Sequence, residues 1–116
     1  MNDFQVINLK EFNQTEFQAI KELEIFLALC KKAKVKAVKV IHGYGSHGVG
    51  GIISKAVFQY AKRLEKQKQI KFFLLGVEWH LSNEKALKVL FEAKDCYNDE
   101  YLNKSNPGIT ILLLNN

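Results

Sequence analysis

At 116 residues, with 47% apolar and 25% charged side chains, the chain has the make-up of one globular domain and not of a disordered segment. No apolar run approaches the roughly 18 residues of a membrane span, and the opening MNDFQVINLKEF has no basic stretch leading into an apolar core, so no secretory signal is expected. A net charge of +5, carried by lysines grouped at 31–36 and from Lys55 to Lys71, favours a polyanionic partner, although a merely lysine-rich surface gives the same number.

FQVINL at 4–9 reads as a short buried strand. Asn13, with Glu16 three positions on, has the pattern of a capping box opening a helix that runs to about Lys34. Phe17, Ile20, Leu23, Leu27 and Cys30 form its inward stripe. The valine-rich KAVKVIH at 36–42 is a second strand, and the short links of this strand–helix–strand unit predict parallel pairing. A second helix begins near Gly51, with Ile52, Ala56, Val57, Tyr60, Ala61 and Leu64 inward. QIKFFLLGVEW at 69–79 is a third strand. NEKALKVLFEAKDC at 83–96 is a third helix, capped by Ser82 or Asn83 and turning Leu87, Leu90 and Phe91 inward. SNPG at 105–108 is a turn, and ITILLL at 109–114 is a strand buried on both faces. The expected fold is one α/β domain over 1–116, an α+β two-layer sandwich in the order βαβαβ(α)β with a mixed four-stranded sheet.

Between the second strand and second helix lies VKVIHGYGSHGVGGII (38–53), which contains G-x-G-x-x-G at Gly43, Gly45 and Gly48. A dinucleotide loop needs an acidic residue about 20 positions on, at the end of the next strand. Glu65 stands there, in mid-helix, and Glu78 is 35 residues after Gly43. The loop is overlong and the strands are too few for two nucleotide-binding halves, so the loop does not read as a dinucleotide site. The glycines still permit close backbone approach, and amides ahead of a helix N-terminus suit a phosphate. Parallel pairing brings Lys10, His42, Tyr44 and the loop amides to one strand-end edge.

These residues carry a resemblance to a known family. VKVIHGYGSHGVGGIISKAV resembles the second signature of the Small MutS-Related (Smr) domain, a strand ending in His-Gly-x-Gly before a helix. INLKEFN at 7–13 aligns with the first Smr signature, Leu-Asp-Leu-His-Gly. GITILLL at 108–114 aligns with the closing Gly-x-T-x-x-x-L. The segment from about 76 to 104 then looks like a helical insertion. The resemblance implies a DNA- or RNA-binding module, and in many such domains a nicking endonuclease that depends on the first-motif Asp and His and on His-Gly-x-Gly. Here Asn8 replaces that Asp, Lys10 the His and Glu11 the Gly. Asparagine carries no charge, and lysine, with an ordinary pKa near ~10.4, is a poor base at neutral pH.

The nucleic-acid contacts expected from this reading are Lys10, His42, Gly43, Tyr44, Gly45, His47 and Lys55, with phosphate contacts giving recognition of shape rather than of sequence. A sole arginine, Arg63, agrees with the lack of base-specific readout. Two alternatives stay open. One is an endonuclease using His42 and Lys10 as catalytic residues, with Glu11 as the nearest carboxylate. The other is a protein-interaction domain without nucleic-acid contact. No pattern calls for a cofactor or metal site, and a divalent-metal requirement is left open. Cys30 and Cys96 match no metal-ligand spacing and read as reduced thiols, which makes the cytoplasm the expected location. The acidic segment around EAKDCYNDEYLNK is expected away from the binding edge, as a cover for the sheet or a self-association surface for a homo-oligomer.

Overall fold

The computed structural model describes residues 2–10, 15–44 and 49–115. In chain order these form β1 (Phe4–Asn8), α1 (Glu16–Lys32), β2 (Ala37–Ile41), α2 (Val49–Lys66), β3 (Ile70–Leu75), α3 (Glu84–Glu92) and β4 (Ile109–Leu114), with 3₁₀ turns at Gly76–Glu78 and Lys94–Asn98. The four strands make one mixed sheet in the order β1-β2-β4-β3. β1 runs parallel to β2, as the short crossover requires, and β4 is antiparallel to both neighbours. All six residues of β4 are buried, as its unbroken apolar run predicts for a central strand.

Alternation along the strands divides the interior into two cores. Val38, Val40, Leu112 and Leu114 face Leu23, Leu27 and Cys30 of α1 and Ile53, Val57 and Leu64 of α2. Leu74, Ile109, Ile111 and Leu113 face the other way, against Trp79 and Ala86, Val89 and Leu90 of α3. So α1 and α2 form the expected helical layer, and the segment between β3 and β4 covers the opposite face of the sheet. Of the two roles expected for that segment, covering the sheet is the one described.

Several local expectations change. The α1 cap is Thr15, whose hydroxyl accepts from the Gln18 amide at 3.1 Å while the Gln18 side chain accepts from the Thr15 amide. Asn13, the expected cap, lies outside the described residues. Thr-x-x-Gln two positions downstream satisfies the same geometry, so the pattern was right and its register was not. Phe17 is exposed, and Ala19 takes its place in the stripe. Ile52 also faces outward, and Ile53 faces in.

β3 stops at Leu75 because Gly76 passes directly under another segment: a Cβ there would sit 1.7 Å from the Asn106 carbonyl oxygen. In α3, Leu87 and Phe91 point outward, and the smaller Ala86 and Val89 with Leu90 face the sheet. The large side chains of β3 and β4 already fill that layer, so the helix seats its slimmer stripe. α3 is capped by Asn83 and ends at Glu92, and Cys96 is buried from the following 3₁₀ turn.

Acidic side chains fasten this segment down. Glu92 pairs with Lys71 of β3 at 2.7 Å. Asp95 and Asp3 exchange bonds between side-chain oxygens and main-chain amides, each 3.2 Å. Lys39, in the middle of β2, reaches Asp99 at 2.5 Å with both side chains only 3% exposed. The second Asp99 oxygen accepts from Trp79 Nε1 at 2.9 Å and from the Tyr101 amide at 3.2 Å. The Lys39 ammonium also lies 4.5 Å from the centre of the Tyr101 ring.

Candidate functional site

β1 and β2 are parallel and in register from Phe4↔Ala37 to Asn8↔Ile41, so their chains leave the sheet side by side. The Leu9 amide extends the pairing by donating to the Ile41 carbonyl at 2.8 Å. Lys10 therefore emerges, exposed, next to the His42–Tyr44 turn. Asn8 holds this exit: its side-chain oxygen accepts from the Lys10 amide at 2.9 Å. An Asn at the first-motif position thus keeps the turn that an Asp would make, without the charge.

On the other side of the turn, the His42 and Gly43 amides both donate to the Gly108 carbonyl, at 2.9 and 3.1 Å. Gly43 has φ 71°, a left-handed conformation that asks for glycine. Gly108 leaves room for the neighbouring turn, since a Cβ on it would lie 3.2 Å from Tyr44 Cδ1 and 3.3 Å from Gly43 Cα. The glycines of the second and closing motifs thus let two loops touch.

The His42 side chain points inward and is 2% exposed. Its Nδ1 lies 2.6 Å from the Gly43 carbonyl and its Nε2 2.9 Å from the Thr110 hydroxyl. A carbonyl can only accept, so Nδ1 carries the proton, and in the neutral ring Nε2 accepts from Thr110. Burial pushes the His42 pKa below the ordinary histidine value of 6.5, against a smaller opposing pull from the Gly43 and Ile109 carbonyls. The ring is a buried tie between β2 and β4.

The expected site residues fall into three groups. Lys10, Tyr44 and Lys55 are exposed; Lys10 and Tyr44 share the strand-end edge, and Lys55 lies in the second turn of α2, which starts at Val49 rather than near Gly51. His42 and Gly43 lie at the same edge but differ from the expectation. The imidazole is bonded inward to the Gly43 carbonyl and the Thr110 hydroxyl, and the Gly43 amide donates to the Gly108 carbonyl. Gly45 and His47, like Glu11, lie outside the described residues.

Sequence reasoning missed a pocket of about 310 Å³ beside this edge, between α2, the end of β3 and the start of β4. His42 and Thr110 line it together with Lys55, Phe58, Leu75 and Pro107. Its signal was distributed: Phe58, Leu75 and Pro107 are unremarkable singly and meet only in the fold. The acidic segment was also misplaced in part. Glu100, Tyr101 and Lys104 border Tyr44 in a second, shallower hollow, because the chain must pass this edge to enter β4.

Among the described residues no three His, Cys, Asp or Glu side chains lie together as metal ligands. Cys30 and Cys96 are free and buried, and burial with help from the charges of Asp3, Asp99 and Asp95 pushes the Cys96 thiol up to about 12. Neither is a nucleophile at neutral pH. Among the described residues no helix is long and apolar enough to cross a membrane.

Comparison with known proteins agrees with this architecture. The crystal structure of the Smr domain of Thermus thermophilus MutS2 superposes with a TM-score of 0.59 at 15% identity, covering 97% of this chain and 99% of that one. No curated protein sequence matches the chain. The Smr domain profile matches residues 7–91, which takes in the Asn8–Lys10 exit, the His-Gly-Tyr-Gly turn and all of α2. The chain belongs to the Smr domain family.

Proposed function

We propose that this domain binds DNA or RNA through the strand-end edge, with Lys10 and Lys55 neutralising phosphates and Tyr44 offering its ring to the strand. One observation carries this reading: the β1–β2 register brings Lys10 beside the His42–Tyr44 segment, at the end of the sheet where α2 begins. A helix N-terminus favours negative charge, and the net charge of +5 works in the same direction. His42 acts in this reading as a positioning residue that fixes the turn from beneath. A role as acid–base catalyst draws no support from a buried ring with both nitrogens engaged, and Asn8 supplies no carboxylate. Binding is therefore the function the geometry supports best, ahead of strand cleavage.

The test is affinity for single-stranded and duplex DNA and RNA across a salt series. Lys10→Ala and Lys55→Ala should each weaken binding on all sequences alike. Each should also reduce the slope of log K against log salt by about 0.7–0.9, the loss of one phosphate contact. Unchanged affinity and slope in both variants would remove the edge from consideration.

A further inference from the structure

The pocket beside His42 is poorly suited to phosphate alone. Phosphate is bound by cations and amides, yet Phe58, Leu75, Val77, Pro107 and Ile109 make the wall mainly apolar. Phe58 is 39% exposed, Leu75 38% and Val77 46%, apolar surface left in contact with water at a basic edge. Phe58 is not loose: its ring stands edge-on to Phe73, centroids 5.8 Å apart at 78°.

The polar residues lining the pocket are His42, Ser54, Lys55 and Thr110. Thr110 and His42 lie deepest, each 2% exposed. Lys55 is exposed at the mouth, and among the described residues it has no ion-pair partner. Among the described residues no acidic side chain lines the pocket. The nearby Glu78 carboxylate is turned back to accept from the Leu75 amide at 2.9 Å. An apolar slot with a polar floor and one cation at its mouth is complementary to a flat, apolar-faced group that carries a negative charge on one side.

We propose that this pocket receives one unpaired nucleobase of a bound strand, lying against Phe58, with an adjacent phosphate on Lys55. This rests on the nucleic-acid reading above and narrows it to single-stranded or locally opened substrates. Sequence tolerance follows, because every base presents the same kind of face to an aromatic ring. A duplex keeps its bases stacked and can use only the lysines.

The experiment compares a single-stranded oligonucleotide carrying one 2-aminopurine with a blunt duplex of the same length, on the full chain and its variants. Binding of the single strand should change the 2-aminopurine fluorescence, and Phe58→Ala should weaken that binding roughly tenfold or more. Phe58→Trp should restore it, which a mere folding defect would not allow, and duplex affinity should stay the same in both variants. The pocket assignment is overturned if Phe58→Ala leaves single-strand affinity unchanged, or lowers single-strand and duplex affinity equally. It is also overturned if Phe58→Ala abolishes self-association of the chain without affecting oligonucleotides, since the occupant is then a second copy. Salt-sensitive duplex binding with no fluorescence change rejects the pocket and leaves the edge standing. Failure to bind any polynucleotide rejects both.

Discussion

His42 shows how a sequence can mark where a residue sits without showing which way its side chain turns. A histidine at a strand end before Gly-Tyr-Gly signals a site, because His titrates near neutrality and glycines admit close approach. The sequence does not say which way the ring turns. That depends on Thr110, 68 residues away, whose hydroxyl meets Nε2 under the sheet. The consequence is measurable. Burial lowers the folded-state pKa below the 6.5 of the open chain, so on acidification the unfolded form takes up the proton first. Stability from this residue is intact above pH 6.5 and is lost between 6.5 and the lower folded value. Unfolding free energies from urea titrations of the native chain should fall across this window faster than those of His42→Gln, by at most about 1.4 kcal/mol per pH unit. Parallel curves for the two proteins would contradict the buried, neutral ring.

Among the elements, helix and strand identities were legible, and helix ends and faces were less so. The ends of α1 and α2 explain why. Val35 N–H donates to Cys30 O and Lys34 N–H to Lys31 O; Gln69 N–H donates to Leu64 O and Lys68 N–H to Glu65 O. Both helices thus close by the same left-handed motif, which usually advertises itself with a glycine. Here the left-handed positions are Lys34 (φ 61°) and Lys68 (φ 60°), so no such mark appears in the sequence. Lysine in that conformation is strained where glycine is not. Lys34→Gly and Lys68→Gly should therefore each stabilise the fold by about 0.5–1 kcal/mol, after allowing for the greater freedom of glycine in the unfolded chain. Chemical denaturation decides it; a loss of stability in both would mean the lysine side chains contribute more than their backbone costs. The outward Leu87 and Phe91 illustrate the same limit for faces. Helical spacing defines a stripe, and the partner surface chooses which stripe is used.

At the scale of the molecule, the mixed sheet and its two-helix layer could be inferred from local patterns, and the attachment of the 76–104 segment could not. Lys39 and Asp99 are 60 residues apart, and nothing near either one marks the other. A lysine within AVKVI hints only that its neighbours on one face need charge. Because the pair is buried, removing Lys39 leaves an uncompensated Asp99 charge, worth about 3–5 kcal/mol, whereas removing Asp99 leaves Lys39 only the exposed Glu100 carboxylate at 4.0 Å. Lys39→Met and Asp99→Asn should each destabilise the domain. The double variant should be more stable than Lys39→Met alone, because it buries no unpaired charge and keeps an acceptor for Trp79. Trp79, the sole tryptophan and fully buried against this segment, reports the unfolding by fluorescence. A double variant no better than Lys39→Met would show that the two charges do not depend on one another.

The position of β4 also bears on how the molecule comes into being. It is the last strand in chain order, yet it lies between β2 and β3 and supplies hydrogen bonds to both. During synthesis, everything up to Asn106 can leave the ribosome while β2 and β3 still present open, apolar edges to the surrounding solution. Gly108 then arrives with β4 and receives the His42 and Gly43 amides. The sheet closes and the His42–Tyr44 segment is fixed in one event, so a nascent chain stalled short of residue 108 lacks the anchor of the strand-end edge and keeps exposed the apolar strand edges that invite misassembly.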